Sequence, residues 1–116
     1  MHEYSIVQAL MARVDREARA HGASAVHRLH VRIGELSGVE IDLLTKAFET
    51  FRERSLCSSA RMEVEPVVAE WCCPGCGSPI PRGAILRCEP CGLPARLARG
   101  DEIVLDQIEM EVPDHV

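Results

Sequence analysis

Two Cys-x-x-Cys-Gly sequences constrain this 116-residue chain more than any other feature. One contains Cys73 and Cys76, the other contains Cys88 and Cys91, and eleven residues separate them. Each places two sulfurs on one tight turn, because the glycine after the second cysteine can adopt a positive φ. A hairpin between the turns brings them together, and four converging thiolates favour a tetrahedral Zn²⁺ ion. Sulfur then fills the coordination sphere, so we predict a structural zinc without an open position for water or substrate.

Other interpretations of these cysteines stay open from the sequence. Free thiols in two matched turns would be a coincidence, and disulfides are disfavoured in a reducing cytosol. An iron site with four sulfurs uses similar turns but usually sits in an aromatic core, and this segment has only Trp71. Cys72 could replace Cys73 as a ligand, although the symmetry of the two turns favours Cys73. Cys57 is interpreted as a small buried side chain without a function.

The segment around the two turns has too little apolar material for a conventional core. Residues 66–100 are rich in proline and glycine and contain five of the six cysteines. Such a composition needs a metal to hold it together. We therefore predict a zinc-binding ribbon domain over residues 70–101 and an α/β domain formed by residues 1–69 plus 102–116.

Hydrophobic periodicity predicts the first elements of the α/β domain. From Glu3 to His21 the apolar residues recur at helical spacing, and Gly22 is placed to cap the carboxyl end of that helix. From Val26 to Gly34 apolar residues alternate with basic ones, which predicts a strand with one buried face. The basic face could pair with glutamates on later strands.

A second helix and two further strands complete the pattern. Ser37–Glu40 has the form of a capping box, and the apolar residues after it recur at helical spacing to about Arg54. Ala60–Glu65 alternates like a strand that Pro66 would end, and Ile103–Val112 indicates a final strand. The predicted fold is α+β: two helices packed on a three-stranded sheet, in the order α-β-α-β, zinc ribbon, β.

Charge and composition exclude several classes of function. The net charge of −5 and the pI near 5.5 disfavour nucleic acid, whose binding needs lysine and arginine to neutralise phosphates. No apolar run is long enough for a membrane span, and the start lacks the pattern of a signal peptide, so we expect a cytoplasmic protein. Motifs of nucleophilic, phosphate-binding and zinc-hydrolase sites are also missing from the sequence, so we do not expect an enzyme.

The amino terminus offers a second kind of metal site. The free amine of Met1, the backbone nitrogen and imidazole of His2, and the backbone nitrogen of Glu3 can form adjacent chelate rings in one plane. Such nitrogen-rich squares suit Ni(II) or Cu(II), whereas Zn(II) has no d-electron preference for a plane. By itself, however, a histidine near a terminus is most often simply solvated.

Four stretches of the chain together carry a resemblance to a known family. They are Met1–Glu3, Gly34–Glu40, Ala47–Arg52 and the two cysteine turns, and the similarity extends from Met1 to about Met110. In these stretches the chain resembles the HypA/HybF family of hydrogenase maturation nickel chaperones. The resemblance implies two metals, Ni(2+) and Zn(2+), and nickel delivery during NiFe-hydrogenase maturation. It implies as partners a GTPase hydrogenase maturation factor (HypB-type) and the NiFe-hydrogenase large subunit, with urease maturation proteins as further candidates.

The resemblance also implies where nickel binds. The family's ligands carry over to the Met1 amine, His2 and Glu3, with a contributing acid at Glu40, which makes the α/β domain the nickel-binding one. Family members often have an aspartate at the last position, and Glu40 already has a structural explanation in the capping box that Ser37 begins. From the residues alone we therefore favour capping over nickel binding for Glu40. The alternative function for the whole chain is a zinc-ribbon protein-interaction module without nickel chemistry, and an iron-based redox protein is a third.

Overall fold

The computed structural model describes residues 2–113, except for the side chain of His2. Two of the predicted nickel ligands, the Met1 amine and the His2 imidazole, therefore lie outside the described part. The elements in chain order are α1 His2–Ala20, β1 Ala25–Gly34, α2 Ile41–Phe51, β2 Arg61–Val67, β3 Glu70–Cys72, β4 Pro79–Ile80, β5 Arg96–Arg99 and β6 Ile103–Glu111. A short 3₁₀ turn, Arg52–Arg54, follows α2 and ends near the predicted position.

Helix α1 ends as the sequence predicts. Gly22 has a φ of 67°, in the left-handed region that glycine adopts without strain. The Ala23 amide donates to the Ala18 carbonyl at 2.8 Å, and the Gly22 amide donates to the Arg19 carbonyl at 3.1 Å. These two bonds form a Schellman motif, which satisfies carbonyls that the helix end would otherwise leave unpaired. The predicted capping role of Gly22 is confirmed.

Strand β1 is the centre of a three-stranded sheet in the order β2-β1-β6. It pairs parallel with β2 and antiparallel with β6. A parallel pair needs a crossover connection, and α2 supplies it. Both helices pack on one face of the sheet, and the buried core that results includes Val7, Val14, Leu29, Val31, Leu44 and Phe48. The predicted α+β architecture is confirmed, and we call this unit the body.

The other face of the body sheet is charged, as the alternation in β1 predicts. Arg28 lies at 3.3 Å from Glu63 on β2 and at 2.8 Å from Glu109 on β6. His30 lies between Glu65 and Asp106 in the same way, at 3.2 and 3.0 Å. The expected pairing of basic β1 residues with acidic residues on the later strands is confirmed.

Pro66 does not end the second strand, contrary to the prediction. Strand β2 continues to Val67, and Pro66 lies opposite Ile33 in the parallel pair. The sheet order makes β2 an edge strand. A proline is compatible with an edge because its missing N–H can face the unpaired side. Alternation along one strand does not show whether that strand is central or lateral, so the local pattern led to the wrong end point.

The capping box predicted at Ser37–Glu40 is also wrong. Helix α2 begins at Ile41, and Glu40 is its N-cap residue, with extended backbone (φ −85°, ψ 108°) and no side-chain cap hydrogen bond. The Ser37 hydroxyl instead accepts the Val39 amide at 3.3 Å. Gly38 has a φ of 79°, which a right-handed helix cannot contain. Ser37 and Glu40 therefore cannot share the first turn of one helix.

The segment inserted between β2 and β6 forms a second small sheet in the order β4-β3-β5. Its few buried side chains are Cys73, Ile80 and Cys88, with Trp71 and Ala95 packed against them. We call this unit, residues 70–101, the ribbon. Where the chain leaves it, Gly100 lies so close to Gly34 that a Cβ on Gly34 would come within 2.3 Å of the Gly100 carbonyl carbon.

Helices α1 and α2 are amphipathic rather than apolar throughout. No helix in the described residues is both long enough and apolar enough to cross a membrane.

Candidate metal sites

The first cysteine turn directs backbone amides at its own sulfur. The Cys73 amide donates to the Ser78 carbonyl at 2.9 Å, and the Gly77 amide donates to the Cys73 carbonyl at 2.9 Å. Inside this loop the amides of Gly75 and Cys76 lie 3.3 and 3.5 Å from Cys73 Sγ. Gly77 closes the turn with a φ of 75°, as the sequence predicts.

The second turn repeats the same backbone pattern. The Cys88 amide donates to the Leu93 carbonyl at 2.9 Å, and the Gly92 amide donates to the Cys88 carbonyl at 2.7 Å. Gly92 has a φ of 68°. Two turns with matching hydrogen bonds therefore face each other, and each presents one buried and one exposed cysteine.

The structure brings together the four cysteines that the sequence predicts as ligands. The Sγ atoms of Cys73, Cys76, Cys88 and Cys91 all lie within 4.8 Å of one another. Cys76 Sγ and Cys88 Sγ are 3.8 Å apart. A tetrahedral zinc with Zn–S bonds of about 2.3 Å requires sulfurs about 3.8 Å apart, so the size and chemistry of this donor set fit such an ion.

The pKa values of the four thiols are shifted in opposite directions. Hydrogen bonds from the Ser78 hydroxyl and amide lower the pKa of Cys76 to about 6. Cys91 can donate to the sulfurs of Cys76 and Cys73, and this sharing raises its pKa to about 12. In this geometry the four thiols would not all ionise by themselves, because each thiolate disfavours the next. A bound cation would allow all four to ionise.

Zinc uptake by the metal-free protein is expected to release about four protons per ion near pH 7, because without the metal the ribbon is unfolded and its four thiols keep pKa values near the ordinary value of about 8.5. Calorimetric zinc titrations in buffers of different ionisation enthalpy measure this number. Ser78→Ala is the matched variant and should give the same number, because the Ser78 hydroxyl lowers the pKa of Cys76 only in the folded turn. Release of only about two to three protons by the unmodified protein, with a higher number for Ser78→Ala, would show instead that thiolates are preformed before zinc binds.

The two remaining cysteines lie outside the cluster. Cys72 is half-buried on β3, and its sulfur is 3.6 Å from an Arg96 guanidinium nitrogen. Cys57 is buried in the core of the body, and burial raises the pKa of its thiol. Sequence reasoning gave no role to Ser78, although its hydroxyl lies 3.2 Å from Cys76 Sγ. Ser78 follows Cys76 by two residues, and only the folded structure shows that their side chains are in contact.

In the body the structure brings two predicted nickel residues together. Glu3 is in the first turn of α1, and only 9% of its surface is exposed. Its Oε2 accepts the Glu40 amide at 3.2 Å. The rings of Tyr4 on α1 and Phe51 at the far end of α2 meet edge to face with centroids 5.5 Å apart, so α1 contacts both ends of α2. The start of α1 and the start of α2 therefore form one corner, with the exposed Glu40 at its surface.

The acidic residues of this corner lie at the amino ends of the two helices. The amino end of each helix carries a partial positive charge, which would repel a metal cation. Glu3 lies in the first turn of α1, Asp42 lies in the first turn of α2, and Glu40 directly precedes α2. These carboxylates offset the positive ends of the two helix dipoles.

Comparison with known proteins agrees with the fold. Residues 1–110 match the family model described as "Hydrogenase/urease nickel incorporation, metallochaperone, hypA". The hydrogenase maturation factor HypA of Wolinella succinogenes is 38% identical over 117 residues, with 98% of each chain covered. The corresponding factor of Aquifex aeolicus is 36% identical, with 97% of this chain and 99% of that protein covered.

Solved structures give the same result. A solution structure of a HypA protein matches with a TM-score of 0.81 at 33% identity and covers 97% of this chain and 98% of that one. The solution structure of the Ni metallochaperone HypA from Helicobacter pylori matches with a TM-score of 0.73, also at 33% identity, over 96% of this chain and 98% of that one. The resemblance seen in the sequence is thereby confirmed, and the chain belongs to the HypA family of hydrogenase/urease nickel-incorporation metallochaperones.

Proposed function

We propose that the protein binds Ni(II) at its amino terminus and delivers it during NiFe-hydrogenase maturation. The proposed ligands are the Met1 amine, His2 and Glu3, with Glu40 as a contributing acid. The observation that carries this proposal is the hydrogen bond from the Glu40 amide to Glu3 Oε2. It places two acidic residues that are 37 positions apart beside the start of the chain.

The backbone at this end is also suited to metal binding. The first amides of a helix have no partner within the helix, so the His2 and Glu3 nitrogens are not needed for the α1 hydrogen-bond ladder. Chelation by consecutive backbone nitrogens in one plane would unwind the first one or two residues of α1. That change is small because helix ends fray readily. The buried Glu3 side chain then holds the rest of the helix in place against Glu40.

The absence of a capping box changes the role that we propose for Glu40. Its side chain makes no cap hydrogen bond to α2, so the structural explanation favoured from the sequence does not apply. An exposed carboxylate next to Glu3 is available to a cation at this corner. We therefore propose that Glu40 contributes to the nickel site directly or through its charge.

In the ribbon we propose that Cys73, Cys76, Cys88 and Cys91 hold a structural Zn(II). The proposed division is a nickel-binding domain of residues 1–69 plus 102–116 and a zinc-binding ribbon domain of residues 70–101. Four sulfurs complete the coordination of zinc and leave no reactive position. Nickel and zinc are kept apart by donor chemistry, since the corner offers nitrogen and oxygen while the ribbon offers sulfur.

Delivery requires partners, and the family description names hydrogenase and urease nickel incorporation. We propose that a HypB-type GTPase maturation factor and the NiFe-hydrogenase large subunit receive or accompany the nickel, and that urease maturation proteins are further partners. These steps would take place in the cytoplasm. The protein itself would act as a carrier without catalysing a reaction.

The first test is a nickel titration of untagged, zinc-loaded protein, in which stoichiometric binding with a planar d-d absorption is expected. Glu40→Gln should weaken this binding by about tenfold without changing the melting temperature. Asp42→Asn is the matched control, because it removes the same charge from the first turn of α2. An equal loss in both variants would mean that only general electrostatics is involved. Unchanged affinity in Glu40→Gln would exclude Glu40 from the site.

A further inference from the structure

Glu35 and Arg82 form a two-point ion pair between the body and the ribbon. Glu35 follows β1, and Arg82 lies between β4 and β5. Arg82 Nη1 donates to Glu35 Oε1 at 2.7 Å, and Arg82 Nη2 donates to Glu35 Oε2. Two parallel bonds between a planar guanidinium and a carboxylate fix the relative orientation of both groups as well as their distance.

Glu35 also binds the chain segment that enters the ribbon. Its Oε1 accepts the Ala69 amide at 2.8 Å, and its own amide donates to the Val67 carbonyl at 2.8 Å. The adjacent Leu36 amide donates to the Gly100 carbonyl at 2.7 Å, where the chain leaves the ribbon. Backbone bonds at residues 67–69 and at Gly100 thus form a narrow joint between the two units.

We infer that Glu35 and Arg82 form a clamp that holds the ribbon in one orientation relative to the body. We expect the joint at residues 67–69 and Gly100 to act as a hinge. Its few bonds lie close together, so they keep the ribbon attached to the body but resist rotation of the ribbon less. Arg82 is thirteen residues beyond Ala69 in the sequence, and its guanidinium and the Ala69 amide bond the same Glu35 Oε1 atom, at 2.7 and 2.8 Å. One carboxylate thus ties the segment that enters the ribbon to the segment between β4 and β5, which the backbone bonds of the joint do not reach. The clamp therefore adds the constraint that the joint alone lacks.

The same loop connects the clamp to the acidic corner. Residues 35–40 run from the Glu35 carboxylate to the Glu40 amide, which donates to Glu3 Oε2. Within this run Ser37 accepts the Val39 amide, and the Ser37 amide donates to the Gly34 carbonyl at 3.0 Å. A short segment fixed at both ends thus joins the ribbon to the start of α1. The clamp sets how the ribbon is presented beside the corner, whether or not that corner holds a metal.

The clamp should stay closed throughout the neutral pH range. The Arg82 hydrogen bonds, followed by the Ala69 amide, lower the pKa of Glu35 from 4.5 to about 2. A lowered carboxyl pKa means that the ionised, paired form is fully present above about 4.5 and is lost only as the pH falls toward 2. Both side chains are at least one-third exposed, at 61% and 36%. Salt and competing charged groups can therefore weaken the pair, and its contribution to overall stability is small.

The test measures how the two units tumble, using ¹⁵N relaxation on zinc-loaded protein without nickel. In the unmodified protein, body and ribbon amides should give the same local correlation time. In Arg82→Gln the ribbon value should fall by roughly a third or more relative to the body, as for a unit that moves on its own. Arg82→Lys should lie between the two, because lysine restores the charge but not the two-point geometry. Zinc content should stay the same in every variant.

Arg87→Gln provides the matched control, since Arg87 is also on the ribbon but its guanidinium contacts the Gly92 carbonyl at 3.3 Å. It should tumble like the unmodified protein. Equal correlation times in Arg82→Gln would show that the backbone joint alone fixes the ribbon, and the inference would be wrong. A ribbon already mobile in the unmodified protein, or loosened equally by Arg87→Gln, would also overturn it. None of these outcomes depends on nickel binding, so failure of the clamp and failure of the proposed function are separable.

Discussion

Alanine in place of Cys73 or Cys88 is expected to abolish zinc binding and to unfold the ribbon while the body stays folded. Both sulfurs are buried, with 1% and 6% of each residue exposed. A structural zinc contributes an apparent binding free energy of about 10–16 kcal/mol. Burial of an Ile80-sized side chain contributes only about 1.5–3 kcal/mol. The apolar contacts of the ribbon therefore cannot replace the metal.

Zinc content per chain, combined with amide NMR signals from residues 70–101, measures this effect. Cys72→Ala and Cys57→Ala are the controls, because neither sulfur belongs to the four-cysteine cluster. Both should keep a full complement of zinc, and Cys57→Ala should lower only the melting temperature of the body, where Cys57 is 2% exposed. Full zinc in Cys73→Ala with loss of zinc in Cys72→Ala would transfer the ligand position to Cys72.

Local pattern was enough to predict the elements whose signal lies within one segment. Period 3.6 in α1, alternation in β1 and β6, and the glycine at the end of α1 each reflect contacts made over a few residues. The two cysteine turns could be predicted for the same reason, because each is a short Cys-x-x-Cys-Gly motif and a hairpin between them brings them together. These features could be predicted because each depends on a short run of the chain.

Features that depend on distant contacts could not be predicted in the same way. The parallel pairing of β1 with β2 places Pro66 on a sheet edge, and no residue near Pro66 indicates that. A serine followed by a glutamate three positions later has the form of a capping box, but the left-handed backbone of Gly38 removes it. Glu35 and Arg82 are 47 residues apart and meet only because the ribbon folds back on the body.

The amino-terminal corner depends both on a short segment and on a distant contact. The first three residues offer an amine, two amides and an imidazole, the donors that a planar Ni(II) ion prefers, but the prediction that they bind nickel comes from the family resemblance. The geometry of the corner cannot be predicted from these residues, because Glu40 joins the corner through a hydrogen bond to Glu3 across 37 positions. The sequence therefore supplies the proposed donors, while the fold brings Glu40 to Glu3.

Adding one residue before Met1 is expected to abolish tight nickel binding. The proposed site uses the free amine of Met1, and an extension both moves that amine and converts the Met1 nitrogen into an amide. His2→Ala should have the same effect, because it removes the imidazole from the planar set. Loss of either nitrogen donor should weaken binding by at least about 100-fold, at the upper end of what even supporting residues of metal sites contribute. Calorimetric nickel titration of the untagged, extended and His2→Ala proteins makes the comparison.

A carboxyl-terminal extension of the same length is the control, and it should bind nickel as the untagged protein does. Zinc content and helix signal should be the same in all four proteins, because the four-cysteine cluster is complete without the amino terminus. Native affinity in the extended protein would mean that the amine is not a ligand. The site would then have to be built from the side chains of His2, Glu3 and Glu40, and in that case Glu40→Gln should become the most damaging carboxylate change. Weak binding in the extended protein but not in His2→Ala would instead leave the amine and backbone nitrogens as the donors.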